Sequence, residues 1–250
     1  MSLVDDVIAL CWTDRLLTPA AGSEPAGSLL VADSWLIVDG ATRAEDAHWA
    51  RFGDSCRRLG VETAAFRRAV TSAVPAIGRW WPRVELSTDG RLRLRVRPAP
   101  SASPGALRVT VAAPGDPRSC PRRKGPDLDM LIGLRSRSGA DELLLCDGDG
   151  RLREGASSSL LWWEDGVLWT TPAEHTLPGV TRALVLALAR EHGVDVRVRS
   201  PSPAQLAGRE VWLTSALHGV RAVGDWLSPP QPAGAAERAP AWQAALETMR

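Results

Sequence analysis

Lys124 is the only lysine in 250 residues; of the 30 Lys and Arg side chains, the other 29 are arginine. The two cations differ in chemistry. A guanidinium stays protonated and is a poor nucleophile, whereas a lysine amine that has lost its proton attacks carbonyl carbon. Arg122 and Arg123 stand immediately before it, and like charge nearby favours the neutral amine. A strong bias toward arginine codons would also leave few lysines, so the count alone does not separate a reactive amine from a chance survivor. Three other stretches bear on the choice. Glu154 sits among small residues in Arg153-Glu-Gly-Ala-Ser-Ser-Ser159; by itself such a glutamate reads as a surface residue. Leu177-Pro-Gly-Val-Thr181 opens a periodic helix. A helix start presents Gly179, Val180 and Thr181 backbone N–H groups, a hydroxyl and the positive end of the dipole to an anion. The same residues also make an ordinary N-cap. Leu213-Thr-Ser-Ala-Leu-His218 carries a strand into the hydroxyls of Thr214 and Ser215, a second phosphate wall or simply a turn.

Together these four features meet the needs of pyridoxal phosphate. The aldehyde needs an amine, the pyridine nitrogen an acid that keeps it protonated, and the phosphate N–H and O–H donors. Competing chemistries find less support. The four histidines (His48, His175, His192, His218) lack a G-x-S-x-G partner, and His192 falls at a helix end, where it would cap. There is no H-E-x-x-H and no Cys/His cluster, so no metal is expected. Cys11, Cys56, Cys120 and Cys146 are scattered, as reduced thiols are, rather than spaced for disulfides or zinc. The chain has no tyrosine, hence no phenol for catalysis, and its net charge of +1 argues against a nucleic-acid partner. No apolar run approaches membrane-spanning length and no signal peptide is readable, so the expectation is a cytoplasmic protein without a membrane partner.

The elements that must position these residues follow from periodicity. Strands are expected over 7–13 and 29–38, with loop over 15–28 and a hairpin-type turn at Asp39-Gly40. Trp49, Phe52, Cys56 and Leu59 recur at helical spacing in 43–59, with Gly60 as the stop, and a second helix is expected over 62–74. A hairpin follows over 84–97 with its turn at Asp89-Gly90. Its second strand alternates, with Leu92, Leu94 and Val96 on one face and Arg91, Arg93, Arg95 and Arg97 on the other. The arginine row reads mainly as a solvated face, from which Arg95 or Arg97 could hold a substrate carboxylate bidentately. The Pro/Ala/Ser-rich stretch 99–105 reads as a linker between domains 1–98 and 106–250. Beyond it come strands at 106–112, 142–146, 160–163, 167–170, 194–198 and 210–214, helices over 127–138 and 177–192, a loose Pro/Ala-rich stretch over 228–240 and a C-terminal helix.

The run Gly139-Ala-Asp-Glu142, Asp147-Gly-Asp-Gly150, Glu154-Gly-Ala-Ser-Ser158, Gly166, Thr171-Pro172 and Leu177-Pro-Gly-Val-Thr-Arg182 resembles the class IV aminotransferase family. That family holds branched-chain and D-amino-acid aminotransferases and 4-amino-4-deoxychorismate lyases. The resemblance covers about 124–224, and His48-Trp-Ala-Arg-Phe52 looks like the family's His-x-x-Arg helix. It implies a fold-type IV architecture: an α+β or α/β chain with a small N-terminal α/β domain, a larger C-terminal domain with a β-barrel-like core, and the site between them in a homodimer. It also implies that Lys124 anchors pyridoxal 5'-phosphate and shuttles the proton, and that Glu154 pairs with the pyridine nitrogen. Gly179, Val180, Thr181, Thr214, Ser215 and Arg51 would hold the phosphate. The sequence departs from the pattern in three ways: Ser159 stands where the family usually has Asn, the tyrosine that several members place near the cofactor's phenolic oxygen is missing, and Val31-Ala-Asp-Ser-Trp-Leu-Ile-Val-Asp-Gly40 replaces the usual Gly-Asp-Gly-x-Phe-Glu stretch.

The resemblance leaves two reactions on an amino-bearing carboxylate. In the lyase reading, pyruvate is eliminated from aminodeoxychorismate to give 4-aminobenzoate. In the transaminase reading, Lys124 moves a proton so that one keto acid leaves and another takes the amine. The short chain, Ser34 at the position of the lyases' threonine hydroxyl, and the arginine strand ending at Arg97-Pro98 favour the lyase. A non-catalytic relative is a third possibility, against which Lys124, Glu154 and Thr181 are all retained.

Overall fold

The computed structural model describes residues 7–13, 15–20, 27–101 and 105–250. The chain divides into two compact units, and the short segment Arg123–Pro126 belongs with the first of them. Residues 102–104 of the expected linker lie outside the described residues, as do 21–26 of the expected loop.

The first unit contains β1 (Ile8–Thr13), β2 (Leu16–Pro19), β3 (Leu29–Ser34), β4 (Ile37–Val38), β5 (Ala41–Thr42), α1 (Glu45–Arg57), α2 (Ala64–Ala73), β6 (Arg79–Trp80), β7 (Arg83–Ser87) and β8 (Leu92–Val96). A five-stranded sheet runs in the order β2-β1-β8-β7-β3, and β5-β4-β6 form a small second sheet. Leu92, Leu94, Val96, Val84 and Leu86 pack against Trp49, Phe52, Cys56, Phe66 and Val70 from the two helices. One sheet face is therefore the core, as the alternation requires. Both residues of the Asp39-Gly40 turn have positive φ, 48° and 79°, which a tight hairpin with Val38 opposite Ala41 demands.

Three expectations for this unit are corrected. The loop over 15–28 contains β2, which pairs with β1 at the sheet edge, where a strand-terminal proline is tolerated. The strand over 29–38 is two strands. β3 pairs with β7 as far as Ser34, whereas Ile37 pairs with Trp80 in the other sheet. The chain breaks at Trp35, whose ring is buried 5.7 Å from His48 and 5.3 Å from Trp49. The arginine row is mostly not a solvated face. Arg91 is exposed, but Arg93 is buried against Asp89, Arg95 pairs with the fully buried Glu85, and Arg97 lies over the Trp81 ring. The adjacent strand and turn supply the counter-charges and the aromatic surface.

The second unit contains β9 (Leu107–Val111), α3 (Leu128–Arg137), β10 (Glu142–Cys146), β11 (Leu152–Gly155), β12 (Ser159–Glu164), β13 (Val167–Thr170), α4 (Val180–Glu191), β14 (Val196–Val198), β15 (Val211–Ser215), β16 (Gly219–Ser228), β17 (Pro230–Gln231) and α5 (Ala239–Glu247). Its mixed sheet runs β11-β10-β9-β16-β15-β12-β13-β14, with β17 paired to β16. β16 is the longest strand and lacks a clean sequence signal, because register shifts at Val223/Asp225 and Trp226/Ser228 break its period-two pattern. Within it, a Cβ on Gly224 would stand 2.4 Å from Ala106 Cβ. Leu144, Leu152, Leu160, Trp162, Leu213 and Trp226 are among the core side chains.

Candidate active site

In the second unit, β11 is short and charged, yet it sinks Glu154 to 3% exposure. Of the two readings of Glu154, the plain surface glutamate does not fit this burial. Glu154 Oε1 accepts from Arg118 Nη1 and, at 2.8 Å, from the backbone N–H of Leu177. Oε2 has no hydrogen-bond partner among the described residues. Burial pushes the Glu154 carboxyl above its ordinary range; the charges of Arg118 and Arg182 and the Leu177 N–H pull the other way without prevailing. Arg118 is shared, since it also binds Asp116 through Nε and Nη2 and donates to the His175 carbonyl. Glu154 is thus a buried carboxylate short of one donor on its Oε2 side, and a protonated ring nitrogen is such a donor.

The bond to Leu177 ties Glu154 to the start of α4. Gly179 is the N-cap, in extended conformation with no side-chain cap, so the N–H groups of the first turn are left for another acceptor. A Cβ at Gly179 would stand 2.4 Å from Ser159 Oγ; glycine here keeps a cradle open that any other side chain would fill. Ser159 pairs across the sheet with Thr214, whose Oγ1 lies 3.5 Å from the Ser159 carbonyl. Ser159 and Thr181 are both buried. The structure therefore brings together Gly179, Val180, Thr181, Thr214 and Glu154 and adds Ser159. Ser215 Oγ is occupied as acceptor of the His218 N–H at 3.2 Å.

A second buried carboxylate fixes the turn between β11 and β12. Glu142 Oε2 accepts from Ser157 Oγ at 2.6 Å, Ser158 Oγ at 2.9 Å and the Ser157 N–H at 3.2 Å. Glu142 is part of the motif run, but spacing alone did not mark it or Arg118 as partners of this turn and of Glu154.

In the first unit, Lys124 lies in the segment that covers the free edge of β3. The Ala32 N–H donates to the Lys124 carbonyl at 2.7 Å. Gly125, φ 150°, makes this approach possible, because a Cβ there would lie 2.6 Å from the Leu30 carbonyl oxygen. Lys124 is half-buried and Ser34 buried, at the end of the same strand. Arg51 donates Nε and Nη2 to Asp33 at 2.7 Å each, and Asp33 also accepts from His48 Nδ1 at 2.9 Å and the Ser34 N–H at 2.8 Å. The His-x-x-Arg pattern thus has a carboxylate partner that sequence reasoning missed; its signal was one acid inside the apolar run from Leu29 to Val38. Arg95 and Arg97 stand on one face of β8, with Arg95 against Glu85.

Two mixed α/β units, one presenting a lone lysine beside a strand edge and one presenting a buried glutamate joined to an open helix N-terminus, define a fold-type IV chain. The description "Amino-transferase class IV" matches residues 30–226, and the chain belongs to that family. A stretch of 70 residues is 40% identical to the branched-chain-amino-acid aminotransferase of Salmonella typhimurium; it is 27% of this chain and spans 23% of that relative's length. Among solved structures, a hypothetical aminotransferase from Mycobacterium tuberculosis in its apo form aligns with a TM-score of 0.80 at 20% identity, covering 98% of each chain. That protein is also known in a pyridoxal-phosphate-bound form, which aligns at 0.79. The 4-amino-4-deoxychorismate lyase from Pseudomonas aeruginosa aligns with a TM-score of 0.75 at 23% identity, covering 96% of this chain and 98% of that one.

Proposed function

We propose that this chain is a pyridoxal-phosphate enzyme acting on an amino-bearing carboxylate through Lys124, with 4-amino-4-deoxychorismate lyase as its activity. The observation that carries the cofactor reading is the pairing of Glu154, buried and with Oε2 open, with the α4 N-terminus two residues beyond its Leu177 contact. When bound, the cofactor withdraws electrons from the substrate's amino-bearing carbon. Glu154 would hold the ring nitrogen's proton. Gly179, Val180, Thr181, Thr214, Ser215 and Arg51, the last oriented by Asp33, would hold the phosphate. Lys124 would anchor the cofactor through its amine and move the substrate proton. Ser34 supplies the hydroxyl that protonates the leaving enolpyruvate.

Ser34 and the arginines of β8 favour the lyase, because aminodeoxychorismate carries carboxylates and an elimination needs a nearby acid. The specific observation on the transaminase side is the 70-residue identity to branched-chain aminotransferases. A homodimer in the cytoplasm is part of the proposal. The assay that separates the reactions supplies aminodeoxychorismate in one arm and amino acid/keto acid pairs in the other. Equimolar pyruvate and 4-aminobenzoate in the first arm is the expected result. Amine transfer in the second arm with none of either product in the first would overturn the lyase.

A further inference from the structure

Arg118 lies between β9 and α3, outside any helix or strand, yet its side chain is tied down on every edge. Its guanidinium has five N–H donors. Nε donates to Asp116 Oδ1 at 2.9 Å, and Nη2 to Asp116 Oδ2 at 2.7 Å and to the His175 carbonyl at 3.0 Å. The Arg118 backbone N–H also reaches Asp116 Oδ1, at 3.1 Å. One carboxylate thus closes the local turn and grips the guanidinium in a two-pronged pair, which fixes its plane. The remaining nitrogen, Nη1, donates to Glu154 Oε1, the oxygen that the Leu177 N–H also takes at 2.8 Å. His175 and Leu177 stand in the loop that opens α4, so Arg118 and Glu154 together hold that loop from two sides.

The charges act on the same contact. Arg118 and Glu154 are both nearly fully buried, where an ion pair is screened little. Burial pushes the Glu154 carboxyl up, and the Arg118 charge is the largest effect opposing it, ahead of the Leu177 N–H and Arg182. Arg182 itself is engaged by Nη1 on Thr176 Oγ1 at 3.1 Å. A carboxylate hydrogen-bonded to a pyridine nitrogen shares one proton with it. A cation behind the carboxylate favours its ionised form and leaves the proton on the nitrogen; a neutral side chain there would return the proton to the carboxylate.

We propose that Arg118, locked by Asp116, is a positioning residue: it holds Glu154 by Oε1, leaves Oε2 to the cofactor ring, and biases the shared proton onto the ring nitrogen. Placing a pyridine ring at Oε2 rests on the function proposed above. Asp116 partly neutralises Arg118, and so sets how strongly the arginine acts on Glu154.

The first test needs no cofactor. Unfolding in urea is followed from pH 5 to pH 8, a range chosen above the ordinary carboxyl values, in wild type, Arg118→Gln, Glu154→Gln and the double variant. A carboxyl raised on folding stabilises the fold below its ordinary 4.5 and loses that contribution as pH rises through its raised value. Without Arg118 the carboxyl rises further, so the folding constant of Arg118→Gln should fall at least about tenfold more across this range than that of wild type. In the Glu154→Gln background the same change should add no pH dependence, which cancels every other titrating group. Asp116→Asn covers the case that Arg118→Gln does not fold: it leaves the arginine's charge to Glu154 alone and should make the loss smaller than in wild type. The second test loads the protein with pyridoxal phosphate carrying nitrogen-15 in the ring and reads the proton by NMR. At pH 7 the resonance should lie in the protonated range in wild type and in the unprotonated range in Arg118→Gln; a merely structural role would weaken binding without moving it. An unchanged pH dependence in the folded variants, or a ring nitrogen that keeps its proton in Arg118→Gln, would overturn the proposal. A protein that shows the arginine-dependent loss but never takes pyridoxal phosphate on Lys124 would keep Arg118's hold on Glu154 and remove the cofactor reading.

Discussion

Asp33 and Glu154 are both buried carboxylates that face arginine, and they are held in opposite ways. Asp33 receives four hydrogen bonds, two from Arg51 and one each from His48 and the Ser34 N–H. Burial alone would raise its carboxyl, but the Arg51 charge and the His48 and Arg51 bonds hold it far below the usual range. Glu154 receives two bonds, both on Oε1, from an arginine that Asp116 also claims. There burial prevails and the carboxyl is raised. A carboxylate saturated by its own fold is scaffold: it locks β3 to α1 beside the lysine segment. A carboxylate left one donor short has room for a partner from outside the chain, the role proposed for Glu154. Proximity to arginine does not distinguish the two; the count and placement of donors does.

Replacing each in turn separates these roles. Asp33→Asn removes a buried charge from beside Arg51 and should cost about 3 kcal/mol of stability, as breaking a buried pair does, read as a lowered midpoint in urea. A loss below about 1 kcal/mol would make Asp33 dispensable to the scaffold. Glu154→Gln should lower turnover about a hundredfold, the scale of one preorganised electrostatic contact. Its melting temperature at pH 7 should be unchanged or slightly raised. A raised carboxyl means the ionised form is disfavoured on folding above its ordinary value of 4.5, and Arg118 retains Asp116. A variant as active as wild type would make Glu154 scaffold too.

The smallest effect is in pH. A depressed carboxyl stabilises the fold above its ordinary value of 3.8 and loses that contribution as pH falls below it. Stability of wild type should therefore drop below about pH 4 more steeply than that of Asp33→Asn; parallel curves in chemical denaturation would contradict the assignment.

Much of the second unit was legible in sequence. The hairpin of the strands expected at 160–163 and 167–170 and the helix opening at Leu177 follow from turn residues and periodicity, while the grouping of Gly179, Val180, Thr181 and Thr214 follows from the family resemblance. β16 was not, because two register shifts scramble its alternation, and β11 was not, because four residues with two charges do not read as a buried strand. In the first unit, the fate of the arginine row depended on Glu85, Asp89 and Trp81, partners supplied by the neighbouring strand and turn. Alternation shows which side chains share a face, while only pairing shows what that face meets. The roles of Gly125 and Gly179 likewise depend on the backbone and hydroxyl they approach, which lie far away in sequence.

The central claim is that Lys124 and Glu154 serve one cofactor. Borohydride reduction of the protein loaded with pyridoxal phosphate, followed by mass mapping, tests it most directly. The account predicts a yellow protein that bleaches on reduction and carries one phosphopyridoxyl group on the peptide holding Lys124, with no label in Lys124→Ala. A colourless protein that cannot be loaded, or a label elsewhere, would contradict it.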